Sequence, residues 1–226
     1  MTNAVLIVAA GRGSRMMRET PKQYLKLGER AVLDHTIHAF LALDRIDSVQ
    51  VVIHPDDAHL YTAATSAITD SRLMPPVTGG ASRAASVRLG LEALQDAPPT
   101  HVLIHDAARP QCSADLILRV IDALAQTDGA FAALPVVDAL WQTDGFFATT
   151  PVPRDGLWRA QTPQGFRYDA ILDAHRTVHT EAADDVEIAR LAGLTVQVVE
   201  GEEDNFKITL PRDLARAEQG LKRRQL

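Results

Sequence analysis

The chain has 226 residues, a length that fits one α/β domain with an elaboration better than two small domains. Apolar residues make up 46% of it, enough for a sizeable core and too many for a disordered chain. The net charge of -6 gives no general attraction to nucleic acid or an anionic membrane, and a single cysteine excludes an internal disulfide or a cysteine zinc site.

The N-terminal segment is apolar, but it is not typical of a signal peptide. It lacks a basic start, and its apolar run ends in a glycine turn. No run approaches the roughly 18 apolar residues that a membrane-spanning helix requires. We therefore expect a cytoplasmic protein whose first apolar run is a buried strand.

Apolar runs alternate with segments of helical spacing along most of the chain. Strands are predicted at residues 4–9, 49–53, 73–77, 102–104, 130–137, 195–199 and 206–209. Helices are predicted at residues 32–43, 56–68, 82–94, 113–125, 168–179 and 184–192, with a last helix starting near residue 211. Asp56, Ser82 and Ser113 are the predicted N-caps of three of these helices. The alternation predicts an α/β fold with a mostly parallel sheet and helices on both faces.

Residues 137–166 interrupt this alternation. They are rich in proline, threonine, glycine and aromatic residues, and they contain only short extended runs. This composition predicts a β-rich arm that protrudes from a single domain spanning residues 1–226. Such an arm leaves strand edges exposed, and a second copy related by a two-fold axis is the commonest cover, so we expect a homodimer.

A glycine-rich loop, A-A-G-R-G-S-R at residues 9–15, follows the first strand. It is not a G-x-G-x-x-G or a Walker A loop, because the third glycine is replaced and no Gly-Lys-Ser/Thr follows. Glycines let backbone N–H groups approach a polyphosphate, and four cations lie within eleven residues: Arg12, Arg15, Arg18 and Lys22. A triphosphate carries about three to four negative charges, so the loop predicts a triphosphate site; the alternative is an exposed basic loop.

The segment H-D-A-A-R-P at residues 105–110 directly follows a predicted buried strand. Ligands of open α/β sheets bind at the carboxyl ends of the strands. Asp106 is therefore a candidate ligand of a Mg²⁺ ion that bridges nucleotide phosphates, and the small Ala107 leaves room beside it. The alternative is a capping aspartate beside a surface Arg109.

Three weaker signals lie elsewhere in the sequence. In G-G-A-S-R-A-A-S at residues 79–86, Gly80 would frame a base and Ser86 would bond a pyrimidine edge, although a plain helix start fits equally well. Arg154, in the arm, has the chemistry to bind a substrate phosphate through two hydrogen bonds. Lys207 lies in a predicted strand after an acidic turn, where a solvated edge residue is the usual interpretation.

Together these motifs resemble the 2-C-methyl-D-erythritol 4-phosphate cytidylyltransferase family of the non-mevalonate isoprenoid pathway. From about residue 5 to residue 218 the chain carries, in family order, A-A-G-x-G-x-R-M, P-K-Q-Y-L, G-G-x-x-R-x-x-S-V, H-D-A-A-R-P, R-x-G-L-W-x-A-x-T-P-Q and E-G-x-x-D-N-x-K-x-T. The resemblance implies a Rossmann-like nucleotidyltransferase domain with an extended β-arm that builds a homodimer. It also implies in-line attack of methylerythritol phosphate on the α-phosphorus of CTP, with Mg²⁺ or another divalent cation as cofactor.

The resemblance further implies roles for individual residues. Arg15 and Lys22 match the cations that stabilise the pentacovalent phosphorus. The triphosphate loop and the cytidine surroundings are matched by Ala10, Gly11, Gly13, Gly80, Ser86 and Ala107. The substrate side is matched by Asp106, Arg109, Arg154, Thr162 and Lys207. Asp106 would also meet the metal, and in the family the arm arginine comes from the partner subunit.

The chain departs from the family at two positions. Ala139 and Ala183 both stand where the family commonly has threonine. Both hydroxyls would lie near the substrate phosphate, so their loss bears on the second substrate more than on the nucleotide chemistry.

Two alternative functions remain open. A ribitol-phosphate-type cytidylyltransferase is the first, although that group tends to carry Ser-Val-Arg where this chain has Ala-Ala-Arg at residues 107–109. A non-catalytic nucleotide-binding module is the second. Some bacterial members are fused to the cyclodiphosphate synthase of the same pathway; we expect no second enzyme within residues 1–226.

Overall fold

The computed structural model describes residues 1–12, 16, 20–179 and 182–224 of the chain. The strands are β1 (Asn3–Ala9), β2 (Lys26–Leu27), β3 (Arg30–Ala31), β4 (Ser48–Ile53), β5 (Val77–Thr78), β6 (His101–Asp106), β7 (Gly129–Pro135), β8 (Leu140–Asp144), β9 (Phe147–Val152), β10 (Trp158–Arg167) and β11 (Val196–Glu200). The α-helices are α1 (Val32–Leu41), α2 (Ala58–Thr65), α3 (Arg83–Glu92), α4 (Ala114–Ala123), α5 (Tyr168–Thr177), α6 (Asp185–Leu191) and α7 (Pro211–Arg224).

The central sheet contains, within these described residues, seven strands in the order β11-β7-β10-β6-β1-β4-β5. β1 pairs in parallel with β4 and β6, and the pairs β4–β5 and β7–β11 are also parallel. β10 runs antiparallel between β6 and β7. The predicted α/β fold with a mostly parallel sheet is therefore confirmed.

Apolar residues on both sides of β1 explain its continuous hydrophobic pattern. Val5 and Ile7 pack in one cluster with residues of α1 and α4, whereas Ala4 and Leu6 pack in another with residues of α3 and α5. All four β1 residues are fully buried. Each such Leu or Ile side chain contributes roughly 1.5–3 kcal/mol by leaving water, so the strand that carries the glycine-rich loop is firmly held.

Two of the three predicted N-caps are present. The Ser82 hydroxyl accepts a hydrogen bond from the Ala85 N–H at 3.1 Å, and the Ser113 hydroxyl accepts one from Leu116 at 3.0 Å. The third prediction was wrong, because a 3-10 turn at Pro55–Asp57 precedes α2 and the Asp56 N–H itself donates to the His54 ring.

The segment predicted as an arm, residues 137–166, divides into two parts. β8 and β9 form a separate two-stranded sheet, whereas β10 enters the central sheet, where residues 161–166 are buried. The expected arm boundary at 166 is thus too late. Pro163 lies within the register shift between Ala160 and Gln164, so its missing N–H leaves no gap in a regular ladder.

The strand predicted at residues 206–209 was also wrong. These residues follow an irregular path between β11 and α7. Ile208 is fully buried and its N–H donates to the Ala108 carbonyl at 2.8 Å. The apolar pattern there reflects the single buried contact of Ile208 beside the H-D-A-A-R-P segment.

None of the described helices is both long and apolar enough to cross a membrane.

Candidate active site

A cleft of about 420 Å³ opens at the carboxyl ends of β1 and β6, beside the start of α3. Parallel strands end together at this edge of the sheet, which is where ligands of open α/β sheets bind. Eight of the predicted site residues line it: Ala10, Gly11, Lys22, Gly80, Ser86, Asp106, Ala107 and Lys207.

A second, smaller cleft of about 180 Å³ is also lined by Asp106. Two further predicted site residues, Arg109 and Thr162, line it together with Ala183. The two clefts share Arg83, Asp106 and Lys207. Asp106 therefore stands where a ligand in one cleft would meet a ligand in the other.

Three cations surround the Asp106 carboxylate. Lys207 Nζ lies 2.9 Å and Arg109 Nε 3.5 Å from Oδ2, whereas Arg83 Nε lies 3.8 Å from Oδ1. Burial alone would raise the pKa of Asp106, but Lys207, Arg83 and Arg109 together hold that pKa well below its usual range. The aspartate is thus ionised at any physiological pH.

A chain of hydrogen bonds fixes the backbone of Asp106. Its N–H donates to Thr162 Oγ1 at 3.0 Å, and the same hydroxyl lies 3.0 Å from His105 Nδ1. His105 Nε2 lies 3.1 Å from the Arg109 carbonyl, which can only accept, so Nε2 carries the proton and Nδ1 accepts from Thr162. Burial lowers the pKa of His105 to about 4, which keeps the ring neutral.

Lys22 reaches the cleft from the 3-10 turn Lys22–Tyr24, and its Nζ donates to the Ile208 carbonyl at 2.7 Å. The adjacent Gln23 is buried, and its side-chain amide donates to the carbonyls of Ala9 at 2.6 Å and Gly11 at 3.1 Å. Gln23 therefore ties the start of the glycine-rich loop to the turn that carries Lys22. Sequence reasoning assigned it no role.

A buried asparagine holds the loop that carries Lys207. Asn205 Nδ2 donates to the Thr162 carbonyl at 2.8 Å, and Arg109 Nη1 donates to the Asn205 carbonyl at 2.7 Å. Asn205 is fully buried. The sequence motif E-G-x-x-D-N-x-K-x-T contains Asn205 but indicates no role for it. The structure shows that Asn205 links β10, the H-D-A-A-R-P segment and Lys207.

The glycine pair before α3 is required by close packing. A Cβ atom at Gly79 would lie 2.7 Å from the Ala10 Cβ and 2.8 Å from Ser86 Oγ, and one at Gly80 would lie 2.7 Å from the Ala85 Cβ. Ser86 Oγ accepts from the Gly80 N–H at 3.1 Å and donates to the Ser82 carbonyl at 2.9 Å. A hydroxyl has two acceptor lone pairs, so Ser86 retains the capacity to accept one more hydrogen bond.

The remaining predicted site residues differ in where they lie. Arg154 lies exposed at the base of the β8–β9 hairpin, where it donates to the Val137 carbonyl. Arg15 and Gly13 lie outside the described residues, as does the loop cation Arg18. Arg12, the other loop cation, does line the larger cleft, where its guanidinium is paired with Asp56 at 2.6 Å and Asp57 at 2.8 Å.

No group of three or more His, Cys, Asp or Glu side chains that could hold a metal ion occurs among the described residues. Mg²⁺ is usually held by only one or two carboxylates together with substrate phosphates, and the ionised Asp106 fits that arrangement.

The fold and the cation-lined cleft at its carboxyl edge define the chain as an enzyme of the nucleotidyltransferase class. The sequence model of the IspD family, 2-C-methyl-D-erythritol 4-phosphate cytidylyltransferase, matches residues 3–223. The chain belongs to this family.

Individual relatives agree with this membership. The 2-C-methyl-D-erythritol 4-phosphate cytidylyltransferase of Cereibacter sphaeroides is 51% identical over 96% of each chain. The bifunctional enzyme IspD/IspF of Rhodospirillum rubrum is 52% identical over 95% of this chain, which spans 56% of that protein's length. The crystal structure of the Thermus thermophilus cytidylyltransferase has a TM-score of 0.78 at 36% identity, covering 98% of this chain and 100% of that one.

We predict that Asn205→Ala lowers the free energy of unfolding by about 1–3 kcal/mol, because it removes a buried donor and leaves the Thr162 carbonyl unsatisfied. Denaturant titration measures this change. The neighbouring Asp204 is exposed, so Asp204→Ala is the matched control and should change stability by no more than about 0.5 kcal/mol. Equal losses in both variants would contradict the anchoring role of Asn205.

Proposed function

We propose that the chain transfers CMP from CTP to 2-C-methyl-D-erythritol 4-phosphate, forming 4-diphosphocytidyl-2-C-methyl-D-erythritol and releasing pyrophosphate, in the cytoplasm. The observation that carries the proposal is the pair of clefts that meet at Asp106 and share Arg83 and Lys207. Two anionic substrates that react with each other need two adjoining compartments with cations between them. The family membership and the named relatives support this assignment.

The larger cleft is the nucleotide side of the proposal. Its volume of about 420 Å³ lies in the usual range for small-molecule sites. Ala10, Gly11 and the loop residue Gly13 would face the triphosphate, while Gly80 and Ala107 flank cytidine. The cytosine amine is a donor, and the remaining lone pair of the serine hydroxyl at the start of α3 is a matching acceptor.

The smaller cleft is the side of the second substrate. Arg109 and Lys207 supply positive charge for the attacking phosphate, and Thr162, which accepts a hydrogen bond from the Asp106 N–H, lines the same cleft. Ala183 also lines this cleft, so a threonine hydroxyl there would face the same space. The departure from the family at this position bears on the second substrate.

The chemistry is an in-line displacement. A phosphate oxygen of the second substrate forms a bond to the α-phosphorus of CTP, the bond from that phosphorus to the bridging oxygen breaks, and pyrophosphate leaves. Such a transfer depends on positioning and on charge stabilisation, and it needs no covalent enzyme intermediate. Lys22, with Arg15, would stabilise the charge that develops on the phosphorus and the leaving group.

A divalent cation, Mg²⁺ in the first instance, completes the proposed site. Asp106 would hold this cation, which would supply charge neutralisation for the phosphate oxygens. Lys207 and Arg109 hold Oδ2 of Asp106, which orients the carboxylate.

The β8–β9 hairpin is the proposed dimerisation device. Its exposed aromatic residues, Trp141, Phe146 and Phe147, are respectively 55%, 103% and 81% exposed. Exposed apolar groups of this size mark interaction surfaces, and a second copy of the chain is the commonest partner. Arg154 at the hairpin base would then act in the site of the partner subunit.

The substrate pair can be tested directly. Purified protein is assayed for pyrophosphate release with each of four nucleoside triphosphates and with methylerythritol phosphate or ribitol phosphate. We expect CTP with methylerythritol phosphate to be the best pair and EDTA to abolish turnover. Equal turnover of ribitol phosphate would contradict the assigned second substrate.

Lys22→Ala should lower kcat far more than it raises the KM for CTP. Its charge acts mainly as negative charge develops in the transition state, and the loss of one such contact costs roughly 3 kcal/mol, or about 10²-fold. Lys26 is exposed on β2, and Lys26→Ala is the matched control with unchanged kinetics. A raised KM for CTP with an unchanged kcat would contradict this role and show that Lys22 binds CTP equally in the ground state and the transition state.

Mixing two inactive variants tests the shared site. If Arg154 serves the partner, a heterodimer of Lys22→Ala and Arg154→Ala has one intact site and one site with both lesions. Random exchange gives about half heterodimers, so activity should recover to roughly a quarter of wild type. No recovery despite confirmed subunit exchange would confine Arg154 to its own subunit and leave the hairpin as a dimerisation device only.

A further inference from the structure

Arg83 lies between two carboxylates at the junction of the clefts. Its Nη2 is 2.7 Å from Asp185 Oδ2, whereas its Nε is 3.8 Å from Asp106 Oδ1. The guanidinium therefore makes a close, charge-assisted pair with Asp185 and only a long contact with Asp106. The Asp185 side chain is 0% exposed, so Asp185 itself is out of reach of a ligand in either cleft.

Asp185 is fixed from several directions. As the first residue of α6, it donates its N–H to Gln164 Oε1 on β10 at 3.1 Å. The carboxylate oxygen that does not contact Arg83, Oδ1, lies 3.2 Å from His175 Nε2 on α5. With its backbone fixed by β10 and its carboxylate by α5, Asp185 is a rigid anchor for Arg83.

The two oxygens of Asp106 differ in their surroundings. Oδ2 contacts Lys207 and Arg109, whereas Oδ1 makes no hydrogen bond to any residue that the structure describes. Oδ1 is therefore the oxygen available to a metal ion. It is also the oxygen that Arg83 would bond at about 2.7–2.9 Å if its anchor were removed.

We propose that Asp185 is a positioning residue: it holds Arg83 back from Asp106 and so keeps Asp106 Oδ1 open for the metal ion that accompanies the nucleotide. This inference rests on the proposed function, because it takes Asp106 as a metal ligand. It assigns a role to a fully buried carboxylate that contacts neither substrate.

The test measures CTP binding by calorimetry with no acceptor present, so that no turnover occurs. The quantity compared is the ratio of the CTP Kd in EDTA to the CTP Kd in Mg²⁺. Asp185→Asn should reduce this ratio about tenfold, the usual effect of losing a residue that orients a metal ligand. Adding Arg83→Gln to Asp185→Asn should restore the ratio, because the competing cation is then gone.

His175→Gln is the matched control. It disturbs the same carboxylate on Oδ1 but leaves the Arg83 pair on Oδ2 intact. We expect a lower Tm and a wild-type Mg²⁺ ratio. A ratio that falls as far as in Asp185→Asn would show general loosening of the region and overturn the inference.

Failure of the inference and failure of the proposed metal site are distinguishable. A wild-type Kd ratio near one, or a Kd ratio that Asp106→Asn does not change, would show that Asp106 does not bind the metal. Either result would overturn the proposed metal site and the inference together. A ratio that Asp106→Asn abolishes and Asp185→Asn leaves unchanged would overturn the inference alone. If Asp185→Asn does not fold, the single variant Arg83→Gln tests the inference instead. The inference requires that its Kd ratio is at least as high as that of the wild type, and a lower Kd ratio would overturn it.

Discussion

The ionised carboxylate of Asp106 is the interaction on which the arrangement of the site depends. A nearly buried anion is stable there only because Lys207, Arg109 and Arg83 surround it. Each of these cations comes from a different segment: the loop before α7, the turn after β6, and the first residue of α3. The Asp106 carboxylate at the edge of the sheet thus contacts three segments of the chain that are distant in sequence and holds them together at one cleft.

The polar groups directly behind this charge are hydrogen-bonded to one another, which fixes the backbone that carries it. Thr162, His105 and Arg109 form a single directional chain of hydrogen bonds in which each donor has an acceptor. Neutral His105 adds no positive charge to a region that already holds three cations. Buried polar networks are stable when every member is paired, and such a network has one preferred geometry.

The fold was largely predictable where the signal is local. The apolar run of β1 and the capping serines of α3 and α4 each encode their structure within a few residues. β10 was not predictable, because Pro163 and Gly165 argue against a strand and its burial comes from pairing with β6 and β7, far away in sequence.

The site shows the same division between local and long-range information. Lys22 and Asp106 were found because cations near a glycine loop, or a carboxylate after a strand, are local patterns. Arg83, Asp185 and Asn205 were missed because their partners lie up to about a hundred residues away, as the Arg83–Asp185 separation of 102 shows. Arg12 lines the larger cleft, as its place in the glycine-rich loop suggests, but its carboxylate partners after β4 were not predictable from that local context.

The position of β10 also constrains the order in which the chain assembles during synthesis. β1, β4, β5 and β6 are complete once residue 106 has emerged and can then pair, but β6 and β7 are not neighbours in the described sheet and require β10 between them. The outer edge of β6 therefore stays uncovered until residue 167 has left the ribosome, roughly 3–12 seconds later at about 5–20 residues per second. During that interval the nascent chain presents an open strand edge next to Asp106, a site for wrong pairing that the completed sheet removes.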